Sequence, residues 1–479
     1  MTHTRLQHSE TDMRALGYRV VDQLVDHLCA LDNKKPVCRA SRGDMDALLS
    51  GDFSMDADDP VSVIDHVVND VLANCSIPAH PKAFAFVPGP GNYISNLADF
   101  LASGFNVFTG SWMAAPAASS VEIKLINWLL QRFELPVKEG GGTFTSGGSM
   151  ANLTAIVTAR RVRCGEDFST AVVYLSDQAH SSNIKALSIL GFRKSQIRIV
   201  PTDELFRLDM ERLEKSLFSD KRAGLNPLMI IASAGTTNTG AVDPLDALAD
   251  LCAGDDIWLH VDAAYGGAGV LSDNNKSLFN GISRAHSVTV DPHKWFFQPY
   301  EIGCLLVRDR YWLSDTFTET PEYLQDVEGN SSEINFYDHG VQLTRNFKAL
   351  KLYMSLKTYG VEAFSGAVTY NIELTERVEE YLRSSSTWEI VTTASLAVIN
   401  FRYNPLHKPL DDQTLDQINE GISRNLMDSG QAMVTTTTLR RRRVLRLCLI
   451  NPRTKFEDVQ GVIDAGERYA RCVLTELDD

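Results

Sequence analysis

Two residues of this chain, Asp262 and Lys294, have the types and surroundings for one particular chemistry. Asp262 closes the apolar run Ile257-Trp258-Leu259-His260-Val261, and Lys294 stands in Asp291-Pro292-His293-Lys294-Trp295, followed by Phe296 and Phe297. A lysine set among aromatic residues beside an imidazole can bond an aldehyde through its amine. A carboxylate delivered from a strand end keeps a pyridine nitrogen protonated, because an opposite charge within hydrogen-bond reach favours the charged form. An aldehyde on a protonated pyridine is pyridoxal 5'-phosphate (PLP), whose ring acts as an electron sink.

A phosphate needs backbone donors without side-chain obstruction. Gly147-Gly148-Ser149 precede a helical run from Met150, so that close approach, a helix N-terminus and the Ser149 hydroxyl coincide. Alone, this would be a tight turn; its place ahead of Asp262 and Lys294 makes it a phosphate cradle. His180 follows the apolar run Ala171 to Leu175, and Thr236 follows Leu228 to Ala232. Alone they read as a helix cap and a turn residue, and Ala264 as a packing alanine. H-E-x-x-H, P-loop and G-x-S-x-G motifs are absent, so metalloprotease, nucleotide hydrolase and serine hydrolase readings lack their signatures.

The segments His260-Val-Asp-Ala-Ala-Tyr-Gly-Gly267 and Asp291 to Trp295 resemble those of the group II PLP-dependent amino acid decarboxylases, of aromatic-L-amino-acid decarboxylase type. Similar matches run from about His80 to about Arg453. The resemblance implies fold type I, an α/β fold with a mostly parallel central sheet covered by helices on both faces. It implies a helical segment over 1–88 packed on a partner subunit of a homodimer, a large PLP-binding domain over 89–349 and a small α/β domain over 350–479. It also implies roles. Lys294 forms the Schiff base, Asp262 holds the ring nitrogen and Gly148 and Ser149 hold the phosphate. His180 stacks on one ring face, Ala264 lies against the other, and Thr236 and His293 position the cofactor.

The implied reaction is loss of CO2 from an L-amino acid to give the amine, and it needs a proton returned to Cα. In the family a loop tyrosine supplies it. Counting back from Arg345 without a gap, that position holds Phe336, with Tyr337 beside it and His339 close by. Phenylalanine has no proton to give. Either Tyr337 or His339 donates, or the unprotonated intermediate reacts with dioxygen, as in an aldehyde synthase. A silent PLP-binding subunit and an aminotransferase are further readings. Positions corresponding to the family's substrate pocket are Phe86, Val87, Gly89, Phe108 and Trp112, an aromatic and apolar set with no partner for a distal carboxylate. Gly89 and Gly110 are smaller than their family counterparts.

These residues require elements to carry them. Short apolar runs at Ala171–Leu175, Ile197–Val200, Leu228–Ala232, Ile257–Val261, Ser287–Val290 and Gly303–Val307 alternate with helical stretches, which predicts a mostly parallel sheet covered on both faces with its site at the strand ends. Ser9-Glu10-Thr11-Asp12 predicts a helix start, and Val61 to Ala73 a second helical stretch. Further on, strands are predicted at Ser395–Tyr403 and Val444–Ile450 and a long helix after Phe456.

The 479 residues allow two to four domains. A net charge of −15 opposes binding to nucleic acid or an anionic membrane. Arg440 to Arg443 read as a solvated turn before a strand. Eight cysteines without a C-x-x-C pair predict free thiols in a reducing compartment, with neither disulfides nor a zinc site. With no secretory signal and no long apolar segment, the expected location is the cytoplasm.

Overall fold

The structure, a computed structural model, describes residues 6–87, 89–319 and 333–478. Chain contacts divide it into two compact units. One takes the N-terminal residues up to Ala85, Leu410–Leu445 and the residues from Arg453 onward; the other takes Phe86–Pro409 and Arg446–Pro452.

The larger unit is built on seven strands: β1 (Gly141–Thr145), β2 (Ala171–Ser176), β3 (Ile197–Val200), β4 (Asn226–Ser233), β5 (Trp258–Asp262), β6 (Ser287–Val290) and β7 (Gly303–Val307). Their order is β1-β7-β6-β5-β4-β2-β3. Pairings from β3 through β6 are parallel, and β7 runs against both its neighbours. Strands β2, β5, β6 and β7 are buried at every residue. Period-two alternation sends Val172, Tyr174, Ile230 and Leu259 to one core and Val173, Leu175, Met229 and Trp258 to the other. Two covered faces explain why these strands are continuously apolar.

Six of the strands lie where the apolar runs predict them. β1 was not among the expected strands, since Gly140-Gly141-Gly142 leave no apolar run there. Pairing with β7 decides it: a Cβ on Gly142 would fall 2.3 Å from the Leu305 carbonyl oxygen, so the close approach requires glycine.

Each of the two C-terminal strands expected singly is a hairpin. β8 (Trp388–Ser395) turns through Leu396 and Ala397, both at positive φ, into β9 (Val398–Tyr403). β10 (Thr435–Leu439) turns through Arg440 and Arg441, also at positive φ, into β11 (Arg442–Cys448). The four-arginine run is thus a turn and a strand start; Arg443 pairs with Glu420, and Arg442 lies 4.0 Å from Asp412.

In the smaller unit, Ser9 caps the helix Glu10–Cys29 by accepting from the Asp12 N–H, and Arg19 reaches Asp65 on the helix Pro60–His66 at 2.9 Å. The last helix spans Phe456–Asp478. Among the described residues no helix is long and apolar enough to cross a membrane.

Candidate active site

The C-terminal ends of the parallel strands define one site. Register sets Ser233 on β4, Asp262 on β5 and Thr289 on β6 side by side, and the next residues of each strand turn away over a cavity of about 330 Å³. That volume is at the small end of ligand pockets. Gly148, Ser149, His180, Thr236, Asp262, Ala264, His293 and Lys294 all line it.

One wall is the start of the helix Gly148–Cys164, whose Gly148 and Ser149 N–H groups precede the first intrahelical bond, from Met150 to the Gly147 carbonyl. Gly147 and Gly148 bring this end against the Asp291–Lys294 turn. A Cβ on Gly148 would lie 2.7 Å from Asp291 Oδ2, and one on Gly147 would lie 3.1 Å from His293 Cε1. A free helix N-terminus behind glycines is an anion cradle.

Opposite it, Lys294 Nζ lies 3.0 Å from Asp291 Oδ2. Asp291 Oδ1 is buried without a hydrogen-bond partner among the described residues. The His293 ring lies 5.1 Å from that of Tyr300 and 3.7 Å from Asp291 Oδ2, and burial lowers its pKa against the pull of Asp291. Behind this turn Trp295 stacks on Tyr265, with centroids 5.6 Å apart and planes at 6°.

The floor is Asp262, 7% exposed. Its Oδ2 accepts from Asn152 Nδ2 at 2.8 Å and Asn183 Nδ2 at 3.0 Å, and its Oδ1 from the Ala264 N–H at 3.2 Å. Burial pushes its pKa up, but the charge of Lys294, with help from the Asn183 bond, outweighs it and holds the carboxyl below its ordinary value. His180 caps the helix Ser181–Ile189: its Nδ1 accepts from the Ser182 N–H at 3.2 Å, which leaves Nε2 as the donor nitrogen. It is a helix cap and a cavity residue at once, with a pKa lowered chiefly by desolvation. Thr236 is buried, its hydroxyl 2.7 Å from that of Thr239.

Of the other expected residues Val87 also lines this cavity, and the rest do not. Phe336 is 1% exposed, its ring edge-on to His339 at 5.5 Å and under the Arg345 guanidinium at 4.9 Å. Arg345 is itself held by Glu122 Oε1 at 2.6 Å and the Phe144 carbonyl at 2.8 Å. Tyr337 is half-buried and tied through its N–H to the Gly110 carbonyl at 3.0 Å. Phe86 is 57% exposed at positive φ. The Trp112 N–H binds Asn335 Oδ1 at 2.9 Å, and the Phe108 ring occupies the space beside Gly110. Gly89 is packed on the site's backbone: its N–H donates to the His293 carbonyl at 3.2 Å.

Sequence reasoning assigned no part to Asp291, Asn152 or Asn183. Asn152 had a signal: it is a lone amide one turn into an otherwise apolar helix start, so its side chain returns to the end where the cradle lies. Asn183 had none, because only the packing of its helix on the sheet brings it to Asp262.

The residues present fit PLP: glycines leave a cradle that a single Cβ would fill, an amine faces it, and a buried carboxylate is held anionic. Fold and site together define a PLP-dependent enzyme of fold type I. Comparison with known proteins narrows the class. The model of the pyridoxal-dependent decarboxylase conserved domain matches residues 43–404, and the chain belongs to that family of PLP-dependent carboxy-lyases. It is 44% identical over 460 residues to an aromatic-L-amino-acid decarboxylase of Bacillus atrophaeus, covering 96% of this chain and 95% of the relative. It is 28% identical over 480 residues to phenylacetaldehyde synthase of Petunia hybrida, covering 97% and 95%. The crystal structure of Oryza sativa TDC with PLP and tryptamine superposes with a TM-score of 0.92 at 27% identity, covering 98% of this chain and 99% of that one.

Proposed function

We propose that this enzyme decarboxylates an aromatic L-amino acid to its amine, as a cytoplasmic homodimer. Identity of 44% to an aromatic-L-amino-acid decarboxylase, against 28% to an aldehyde synthase, supports both substrate class and product. Exposed apolar side chains on the N-terminal unit, among them Met13, Tyr18, Leu49, Phe53 and Met55, support a subunit interface there. Within it the segment 1–88 packs on the partner, with 89–349 as the PLP-binding domain and 350–479 as the small domain. Free thiols at all eight cysteines support a reducing compartment.

When bound, the cofactor draws the electrons of the broken Cα bond into its ring. Lys294 holds its aldehyde carbon, Gly148 and Ser149 its phosphate, and Asp262 the proton on its ring nitrogen. His180, Ala264, Thr236 and His293 would hold the rest of it in place. By orienting the substrate, the chain selects the bond to the carboxylate. Phe86, Gly89, Phe108 and Trp112 are the substrate-pocket residues, completed in the dimer. Tyr337 returns the proton to Cα.

The burial of Phe336 under Arg345 is the single observation that carries the amine reading. A ring packed in the core supports Tyr337, half-buried beside it, as the donor rather than Phe336. The test is a product assay on the PLP-loaded chain in air with a panel of aromatic amino acids, following CO2, amine, aldehyde and peroxide together. Amine and CO2 in equal amounts are expected. Aldehyde with peroxide would establish an aldehyde synthase, and silence across the panel would overturn the aromatic assignment.

A further inference from the structure

Behind Asp262 lies a file of buried polar side chains that the reaction as described does not use; its near end, Asn152, borders the cavity. Trp258 and His260 project from the same face of β5, Ser287 lies opposite His260 on β6, and Asn152 comes from the helix Gly148–Cys164. Trp258, Ser287 and His260 are 0% exposed and Asn152 is 1% exposed. Burying four polar groups in an apolar sheet is costly unless each is satisfied.

The order of their bonds has only one sense. An indole N–H can donate and cannot accept, and Trp258 Nε1 donates to Ser287 Oγ at 2.9 Å. A serine oxygen can accept twice, so the sense of the remaining bonds is set from the other end. An ionised carboxylate only accepts, so Asn152 turns its nitrogen to Asp262 Oδ2 at 2.8 Å, and to Ser182 Oγ at 3.1 Å. The amide oxygen then faces His260 Nε2 at 3.1 Å, which must donate. With its hydrogen on Nε2, the neutral imidazole accepts the Ser287 hydrogen at Nδ1, at 2.8 Å.

We propose that Trp258, Ser287, His260 and Asn152 form a one-way hydrogen-bond relay that orients Asp262 and keeps it anionic, so that they are positioning residues for the protonated ring nitrogen. The inference rests on the reading of Asp262 as the partner of that nitrogen. Each donor in the file is polarised by the one behind it, and in a low-dielectric interior such chains strengthen cooperatively, by about 10–30% per bond. Burial drives the pKa of His260 down to about 4, so the imidazole stays neutral and adds no competing charge. Ser287 does not line the cavity. It can be altered without touching cofactor or substrate.

The test uses the full-length protein loaded with PLP labelled with 15N at the ring nitrogen. In Ser287→Ala the ring-nitrogen resonance should move from its protonated position towards the unprotonated one. In the same variant kcat should fall by roughly 3- to 10-fold while KM changes by less than about twofold. Ser287→Thr, which keeps the hydroxyl, should restore both. An unmoved resonance in Ser287→Ala, alongside a moved one in Asp262→Ala, overturns the relay and leaves the role of Asp262 standing. If Asp262→Ala moves nothing either, the reading of Asp262 is wrong and the relay falls with it. A measurement on the unaltered protein guards against a variant that does not fold: with 15N-labelled histidine, His260 should be neutral with its hydrogen on Nε2. Finding the hydrogen on Nδ1, or on both nitrogens, overturns the proposal.

Discussion

Lys294 and Asp291 form an ion pair across one turn of chain, Nζ to Oδ2 at 3.0 Å, with the aspartate 2% exposed and the lysine 15%. The pair holds the amine at the mouth of the glycine cradle, and neither group is solvated well enough to be left alone. Removing one partner of a buried pair costs more than removing both, since it leaves an uncompensated charge.

Lys294→Ala should therefore abolish borohydride-reducible attachment of the cofactor and its visible absorbance. It should also destabilise the cofactor-free protein by about 3 kcal/mol. The double variant Lys294→Ala/Asp291→Ala should recover part of that loss, as read from urea midpoints. A coloured, reducible cofactor persisting in Lys294→Ala would show that another lysine carries it.

Gly89 backs the same lysine. A Cβ there would lie 1.7 Å from the Lys294 carbonyl oxygen and 2.8 Å from its carbonyl carbon, and backbone cannot swing aside as a side chain can. Gly89→Ala should cost about 1–3 kcal/mol by overpacking and lower cofactor occupancy. Its small size is thus a packing requirement of the Lys294 turn. Wild-type occupancy and an unchanged melting temperature in this variant would refute that.

Phe336 and Tyr337 should respond in opposite ways. Phe336→Tyr places a hydroxyl in a ring site that is 1% exposed and should lower stability by about 1–3 kcal/mol, the cost of a buried unsatisfied hydroxyl, without changing the product. Tyr337→Phe should leave the melting temperature nearly unchanged and divert turnover from amine to aldehyde and peroxide. The reverse pattern would place Phe336 in the donor position.

Arg345 and Glu122 bind at 2.6 Å with side chains 7% and 2% exposed. Arg345→Leu strands the Glu122 carboxylate, loses the donor to the Phe144 carbonyl, and should cost about 3–5 kcal/mol in denaturant unfolding. A loss below about 1 kcal/mol would mean that the segment around Phe336 is anchored elsewhere.

Acid should unfold this enzyme through its buried histidines. Burial lowers His260, His286 and His339 to about 4, against an unfolded value of about 6.5. Each contributes stability above about pH 6.5 that is lost as pH falls through about 4, because the unfolded chain binds the proton first. Asp243 and Asp338, raised to about 6 chiefly by burial, act in the opposite sense over much of the interval. Stability should still decline from pH 6.5 to pH 4. His339→Gln should flatten the decline by up to about 1.4 kcal/mol per pH unit, measured as unfolding free energy at each pH.

The sequence by itself determined the sheet and the residues at its ends. Continuous apolar runs such as Val172 to Leu175 state that both faces are covered, and a charged residue closing such a run, as Asp262 does, marks the strand end where a site opens. His180, Thr236, Asp262 and Lys294 were legible because each follows a predicted strand, and Gly148 and Ser149 because glycines stand before a helical run. Tertiary structure decided what local pattern does not encode. β1 is a strand because β7 accepts its glycines, and Asn183 reaches Asp262 because one helix packs on the sheet. Phe336 is a core residue because an arginine nine positions later, held by a glutamate on a distant helix, closes over its ring. Spacing along a chain reports which face a side chain is on, whereas the partner that fills that face comes from elsewhere in the fold.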